Sequence, residues 1–437
     1  MDPFQNALNF LNNIKNDLSE KEIPYLERLY EPEHLIKGAL EVKMDNGKTK
    51  KFPAFRSQFN NALGPYKGGI RFHQNVTESE VKALSLWMSL KCAIAGIPYG
   101  GGKGGIIVDP HMLSKPELER LSREYVRLIA EFIGVDKDVP APDVNTNGQI
   151  MAWMLDEYEK IIKSQSPGTF TGKPLEIGGS AGREKATGYG GVMALNFLKE
   201  SFLAANKGKG SEWYNKPPSQ ITVAIQGFGN VGYFFARIAS DHGFRVVAVS
   251  DSKGGVYVKE GLDPEATMKC KIEKGKVSDC YCVGGVCDLR KGKMMSSEEL
   301  LELDVDILVP AALENVIHKD NVARIKAPII VEMANGPLTS DADEYLSKKG
   351  CTIIPDIFAN SAGVTVSYLE WVQNRMGYYW TEEEVDEKLA VLMKKAFESI
   401  WSTYTSLIDK KKSATLRKAA YLVAVKKIIA AERIKRP

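Results

Sequence analysis

No run among the 437 residues approaches the roughly 18 consecutive apolar residues a membrane-spanning helix needs, so no such helix is expected. Net charge is nearly absent as well. The 58 Lys and Arg against 55 Asp and Glu leave +3 with histidine neutral, which gives no electrostatic footprint for nucleic acid or an anionic membrane. The basic stretches at 410–412 and 426–436 alternate with alanine, valine and isoleucine, the pattern of a helix with one solvated face. The first twenty residues, MDPFQNALNFLNNIKNDLSE, scatter Asn and Asp through the apolar positions. They lack the basic start and apolar centre of a secretory signal, and a cytoplasmic protein is expected. There is no internal repeat and no low-complexity tract.

Cysteine is sparse and irregularly placed. Of six, four cluster at Cys270, Cys280, Cys282 and Cys287, a C-x-C-x-x-x-x-C run with one distant partner. That spacing lacks the paired C-x-x-C knuckles of a zinc site. In a reduced compartment it reads as free thiols on a surface hairpin, and no metal is expected. A phosphate loop is missing too: Gly102-Lys103 is followed by Gly104, where Ser or Thr would be needed to hold magnesium.

What is present is a soluble globular composition, 44% hydrophobic and 26% charged, in a chain long enough for two or three domains. The stretch 64–105, GPYKGGIRFHQNVTESEVKALSLWMSLKCAIAGIPYGGGKGG, sets three lysines in glycine-rich or apolar surroundings: Lys67, Lys91 and Lys103. Glycines beside Lys67 and Lys103 leave room for close approach of a small ligand. Between those two loops Thr77-x-x-Glu80 predicts a capping box opening a helix on which Val81, Leu84, Met88 and Cys92 share a face, with Lys91 near its end. Three ammonium groups around one pocket would depress one another's pKa values, favour a dianionic ligand and keep one amine neutral as a base.

In chain order, residues 1–60 read as a helix, a polar turn at Asp45-Asn46-Gly47 and a strand, KFPAFRSQF. Strands are expected after Lys67 and at 105–110, then helices near 115–133 and 147–164. The first of these opens at Ser114-Lys115-Pro116-Glu117. The rigid segment VPAPDVNTNGQ presents Asp143, a candidate proton carrier, just before the second. At 178–191 small residues crowd a helix start, with the Thr187 hydroxyl near an end that favours anions. Residues 204–220 read as an exposed polar connection.

The strand ITVAIQ then leads into Gly227-Phe228-Gly229-Asn230-Val231-Gly232, a helix follows, and the next strand ends at Asp251. G-x-G-x-x-G between strand and helix, with an acidic residue about 20 positions on, is the context of a Rossmann dinucleotide site. Asp251 favours NAD, whereas Ser252 and Lys253 could hold the extra phosphate of NADP, so the cofactor is NAD or NADP. Apolar strands VDILVPAA, PIIVEMAN and TIIPDIFAN predict a mostly parallel sheet covered on both faces, and Ser367 falls on a helix after Asn360.

Taken in order, GPYKGGIRFH, LKCAIAGIPYGGGKGG, PAPDVNTN, GREKATGYG, GFGNVG, PAALEN, EMANGP and IFANSAGVTVSYLEW resemble the glutamate dehydrogenase family (Glu/Leu/Phe/Val dehydrogenases) over nearly the whole chain. The resemblance implies an α/β protein of two domains separated by a cleft. The substrate-binding and oligomerisation domain would be 1–183 completed by the helices of 364–437, and 184–363 a doubly wound Rossmann domain. It implies reversible oxidative deamination of L-glutamate to 2-oxoglutarate and ammonium by a homohexamer.

By the same resemblance Lys67 and Ser367 bind the side-chain carboxylate, Lys91 the α-carboxylate, and Met88 lines the pocket. Lys103 is the catalytic lysine and Asp143 assists proton transfer. Thr187, Asn230, Ala311, Asn335 and Asn360 contact the cofactor. The related branched-chain and aromatic amino-acid dehydrogenases have an apolar residue where Lys67 stands. A non-catalytic, cofactor-sensing oligomer is the reading from another class, and it would need a broken lysine or aspartate site.

Overall fold

The computed structural model describes residues 2–206, 213–283, 286–287, 292–410 and 414–436, which form two compact units. The first comprises Met1–Arg183, Val364–Leu392 and Tyr421–Pro437; the second comprises Glu184–Gly363 and Met393–Ala420. Among the described residues no helix is long and apolar enough to cross a membrane.

The first unit opens with helices α1 (Pro3–Asn12) and α2 (Ile23–Glu27), then strands β1 (His34–Lys43), β2 (Thr49–Asn60) and β3 (Tyr66–Phe72). Helix α3 (Glu78–Ala95), strand β4 (Gly101–Ile106), helix α4 (Lys115–Ile129), strand β5 (Asp138–Pro142) and helix α5 (Gly148–Ile162) follow. The sheet order is β1-β2-β4-β3-β5, with β4, β3 and β5 mutually parallel and β1 and β2 antiparallel. Its apolar face (Leu40, Phe52, Phe72, Ile106) packs on Leu121 and Tyr125 of α4 and Met151 of α5. Ser114 and Glu117 form the capping box of α4. The strand β1, before the Asp45-Asn46-Gly47 turn, was not anticipated.

Lys67 and Lys103 stand on strands β3 and β4, not on the loops expected for them. The glycines around them serve packing: a Cβ at Gly68 would lie 1.5 Å from the Gly102 carbonyl oxygen, at Gly101 2.1 Å from that of Ser85, and at Gly104 2.2 Å from the Tyr125 hydroxyl. Only bare backbone allows two strands and two helices to meet this closely. The glycines therefore admit protein neighbours where ligand space was expected. The strand placed at 105–110 accordingly lies earlier, at β4. The cap of α3 is half a box. The Thr77 hydroxyl accepts the Glu80 N–H at 3.1 Å, but the Glu80 carboxylate pairs with Arg71 and does not return to the cap.

The second unit runs through α6 (Ala186–Asn206), β6 (Thr222–Gln226), α7 (Asn230–Asp241), β7 (Arg245–Asp251), β8 (Gly254–Tyr257) and α8 (Pro264–Lys274). A two-stranded piece, β9 (Cys282–Val283) with β10 (Val286–Cys287), precedes β11 (Lys293–Met295) and α9 (Ser297–Leu301). Then come β12 (Ile307–Pro310), β13 (Ile329–Val331), α10 (Ser340–Lys348), β14 (Thr352–Ile354) and α11 (Asp356–Ala359). Seven strands pair in the order β11-β8-β7-β6-β12-β13-β14; the five from β7 to β14 are parallel, as the apolar strand pattern predicts.

Three C-terminal helices close the chain: α12 (Ala362–Met376), α13 (Glu382–Asp409) and α14 (Leu416–Lys435). Sequence reasoning gave all of 364–437 to the first unit, yet 393–420 pack in the second. The Phe397 ring lies 5.7 Å from Phe197 and 5.9 Å from Phe358, Trp401 lies 5.6 Å from Phe202, and Arg417 donates to Glu332 at 2.6 Å. Aromatic burial of this kind outweighs chain position.

Two further expectations change. In 204–220, Trp213 and Tyr214 are buried against Phe202 and are no part of an exposed connection, while 207–212 lie outside the described residues. Cys270 and Cys280, expected as free thiols, are joined in a disulfide because α8 and the turn after it bring their Cα atoms to 5.8 Å. Cys282, buried beside them, is likewise disulfide-bonded and not the free thiol expected, and the Cys287 side chain lies outside the described residues.

Candidate active site

The first unit gathers its buried charges around β3, β4 and β5. Lys103 Nζ lies 2.8 Å from Asp143 Oδ2, and Arg71 Nε reaches the same oxygen at 2.9 Å. Strand alternation puts Arg71 four residues beyond Lys67, on the same face of β3. Asp143 follows β5 and is fixed from both sides. Its N–H donates to Thr146 Oγ1 at 2.7 Å, that hydroxyl donates to the Ile70 carbonyl at 2.9 Å, and Asn145, at φ +57°, donates to the Phe72 carbonyl at 2.9 Å. The rigidity expected of the VPAPDVNTN segment is thus achieved by hydrogen bonds to β3 as well as by its prolines.

The electrostatics follow from burial. Burial alone would raise the Asp143 carboxyl, but the Lys103 ammonium and the Arg71 guanidinium override it and hold it well below the usual carboxylate range. Burial lowers the Lys103 amine; Asp143 pulls it back up, and Arg71 presses it down. A buried amine with a depressed pKa beside a fixed carboxylate can serve as a general base.

Lys67 sits apart from that pair, 1% exposed. Its Nζ donates to the Val139 carbonyl at 3.0 Å and to Thr171 Oγ1 at 2.8 Å, and Thr171 in turn bonds Ser367 Oγ at 2.5 Å. The two residues expected to share one carboxylate are therefore linked through a threonine that sequence reasoning missed. Burial, then the Arg183 guanidinium, lowers Lys67 to about 7, with Glu370 opposing. Neighbouring lysines, expected to be the cause, are not. Lys67 and Lys91 do share a neighbour, the buried Cys92 thiol, which burial pushes up to about 12 while both amines pull it down.

Lys91 is 5% exposed near the end of α3. Met88 is half-buried, packed with Cys92, Tyr99, Val139, Tyr368 and Trp371. The Glu370 carboxylate accepts from Gly172 N at 2.7 Å and from Lys173 Nζ at 2.8 Å, which ties the Thr171 segment to α12. Arg71, Thr171, Arg183 and Glu370 were all missed. Only Arg71, by its place in the alternation, and Arg183, at the head of GREKATGYG, carried a signal.

In the second unit the glycine-rich turn has the form a dinucleotide needs. Gly227 has φ +97°, and a Cβ there would meet Ala311 at 2.8 Å; one at Gly232 would meet the Gly227 carbonyl at 1.9 Å. A Cβ at Gly229 would meet nothing within 4 Å, and as the N-cap of α7 it offers no side-chain cap. The first N–H groups of α7 thus face space that a pyrophosphate suits. Asn230 turns its amide to the Glu184 carbonyl, and Val231 is half-buried. Asp251, at the end of β7, accepts from Lys253 N and Val277 N, both at 2.9 Å. Ser252 is exposed, and Lys253 Nζ is spent on the Gly275 carbonyl at 2.9 Å.

Thr187 stands in the first turn of α6, half-buried, and Ala311 N donates to the Gln226 carbonyl at 2.7 Å. Asn360 Nδ2 donates to the Met333 and Ala334 carbonyls and to Asn335 Oδ1, all at 3.2 Å. Its Oδ1 is buried with no partner among the described residues, the state of an acceptor kept for a ligand N–H. These residues fit a nicotinamide dinucleotide.

A Rossmann sheet with an open glycine turn in one unit, and Lys103 buried against Asp143 in the other, define an amino-acid dehydrogenase class, and two family models match the chain. Glutamate/Leucine/Phenylalanine/Valine dehydrogenase covers residues 178–436, and the Glu/Leu/Phe/Val dehydrogenase dimerisation domain covers 32–160. The chain belongs to this family.

Among its relatives, the catabolic NAD-specific glutamate dehydrogenase RocG of Bacillus subtilis is 48% identical over 94% of this chain and 90% of that protein. The NAD-specific glutamate dehydrogenase of Clostridioides difficile is 46% identical over 99% and 97%. Of solved structures, glutamate dehydrogenase from Peptoniphilus asaccharolyticus superposes with TM-score 0.79 at 40% identity, covering 100% of both chains. The leucine-bound hetero-hexameric enzyme of Thermus thermophilus gives 0.87 at 33% identity, over 100% and 97%.

Proposed function

We propose that this enzyme converts L-glutamate reversibly to 2-oxoglutarate and ammonium, with NAD accepting the hydride. The observation that carries the substrate is Lys67, an amine buried to 1% exposure and linked through Thr171 to Ser367, with Arg183 acting on it. Leucine, valine or phenylalanine would bring that already buried amine no anion and so forgo an ion pair that glutamate makes. A distal carboxylate gives it a partner.

In this reading Lys67, Ser367 and Arg183 take the side-chain carboxylate, Lys91 takes the α-carboxylate, and Met88 lines the aliphatic stem. Once the α-hydrogen has left as hydride, Lys103 in its neutral form takes a proton from the water that attacks the iminium carbon. Asp143, 2.8 Å from Lys103, then relays protons to the departing amine. Thr187, the turn 227–232, Ala311, Asn335 and Asn360 hold the dinucleotide.

NAD is favoured over NADP because Asp251 repels a ribose phosphate and Lys253 is committed to a backbone carbonyl. The NAD-specific relatives named above support the same choice. A homohexamer fits the reading, supported by the hetero-hexameric Thermus relative. A cytoplasmic location also fits, since glutamate and the nicotinamide cofactor are drawn from that compartment. The rival family substrates are tested by following reduced nicotinamide with glutamate, leucine, valine and phenylalanine. We expect kcat/KM for glutamate to exceed the others by about 100-fold or more. Comparable rates with leucine would refute the assignment.

A further inference from the structure

The cysteine cluster finds no use in the chemistry above, yet it is wired to the dinucleotide turn. Cys270 lies on α8 and Cys280 just after the turn that follows it, and their disulfide closes a loop over a sequence separation of ten residues. Three residues of that loop contact the dinucleotide elements. Lys271 Nζ donates to the Phe228 carbonyl, inside the glycine-rich turn, at 2.7 Å and lies 3.5 Å from Asp251 Oδ2. Val277 N donates to the same Asp251 oxygen at 2.9 Å. The Gly275 carbonyl accepts from Lys253 Nζ at 2.9 Å. Lys271 adjoins one cysteine and Val277 stands three residues before the other, so the cross-link restrains two of the groups that position Asp251, the third being Lys253 N.

We propose that Cys270 and Cys280 form a thiol–disulfide exchange site whose oxidised form tightens binding of the nicotinamide dinucleotide. This rests on the reading that Asp251 and the glycine turn hold that ligand. The reductant is a dithiol. One of its thiolates attacks Cys270 Sγ, on the less buried partner at 6% exposure against 0% for Cys280. The Cys270–Cys280 bond breaks, and Cys280 leaves as a thiolate that takes up a proton. The second thiol of the reductant then displaces Cys270 as a thiol. The protein gains two electrons and two protons, and the dithiol becomes a disulfide.

With the cross-link open, α8 and the turn are no longer held at a fixed separation. Hydrogen bonds to the Asp251 carboxylate and the Phe228 carbonyl then have to be ordered when the ligand arrives.

The test is NADH affinity of the whole enzyme, by quenching of protein fluorescence, before and after reduction by dithiothreitol. Peptide mass mapping reports the two hydrogens added at the Cys270–Cys280 bridge separately from those added at Cys282, which is disulfide-bonded as well, with Cys270→Ser/Cys280→Ser and Asp251→Ala measured alongside. We expect Kd to rise about tenfold on reduction, about 1.4 kcal/mol, with kcat at saturating NAD little changed. The double serine variant should bind as weakly as the reduced enzyme and ignore the reductant. Unchanged Kd in an enzyme shown by mass to be reduced would overturn the proposal. So would unreduced protein that carries both thiols titratable, or bound zinc in their place. If instead Asp251→Ala binds NADH normally, it is the dinucleotide reading that fails.

Discussion

Replacing Lys67 by leucine tests the substrate pocket most sharply, because its consequences can be worked out in both affinity and pH. In the ligand-free enzyme Lys67 is 1% exposed and titrates at about 7, so near neutrality the amine is about half charged. A dicarboxylate binds the ammonium form, and above its free pKa each bound molecule must bring a proton with it. The sign follows. Affinity is flat below about pH 7 and falls about tenfold per pH unit above it, until the raised pKa of the bound state is reached.

Leucine removes the ammonium and leaves the buried carboxylate with Arg183, Thr171 and Ser367 but without its Lys67 partner. That costs about 3–5 kcal/mol, or roughly 200- to 5,000-fold. Glutarate is the appropriate probe, since it has both carboxylates and no amine to titrate. Its inhibition constant would be measured from about pH 6 to 9 for both proteins. The difference between the two profiles should bend at about 7. Parallel profiles, or a Lys67→Leu enzyme that keeps its affinity for glutarate and its turnover of glutamate, would refute the reasoning.

Other parts of the fold make equally definite predictions. Glu332 is fully buried in the second unit. Burial, with Asp356 adding to it and Arg417 opposing, raises its carboxyl from the ordinary 4.5 to about 7. The folded state then binds more protons than the unfolded state between those values, so this group's contribution is lost as pH rises through that window. Unfolding by urea should show Glu332→Gln removing a fall of about 1–3 kcal/mol between pH 4.5 and 7, whereas parallel curves would contradict the assignment. At Gly104 an added Cβ would lie 2.2 Å from the Tyr125 hydroxyl, which donates to the Phe55 carbonyl at 2.8 Å. Gly104→Ala should destabilise by about 2–4 kcal/mol, and Tyr125→Phe should relieve part of that, giving a coupling above about 0.5 kcal/mol in a double-mutant cycle; strict additivity would count against the packing role of these glycines.

Much of this was legible in sequence because it depends on local spacing. The glycine turn at 227–232 and Asp251 need only a strand, a turn and a helix in succession, and residues 222–251 supply them. Ser114 and Glu117 announce their capping box three residues apart for the same reason. What stayed hidden depends on contacts between distant segments. The glycines beside Lys67 and Lys103 look like loop residues until the facing strand, Ser85 and Tyr125 are seen to occupy the space. Thr171 has no motif, and its role exists only because α12, nearly 200 residues on, brings Ser367 to it. Likewise the assignment of 393–420 was decided by aromatic contacts of Phe397 and Trp401 that no helical periodicity reveals.

The proposed chemistry rests most directly on Lys103 and Asp143, 2.8 Å apart, acting as one proton-transferring pair. Steady-state glutamate oxidation by Lys103→Ala and Asp143→Asn, with NADH binding and thermal unfolding measured on the same preparations, tests it. Turnover should fall by about 100-fold or more in each variant while the protein stays folded and binds NADH as before. Turnover within about threefold of the parent enzyme in either variant would contradict the claim.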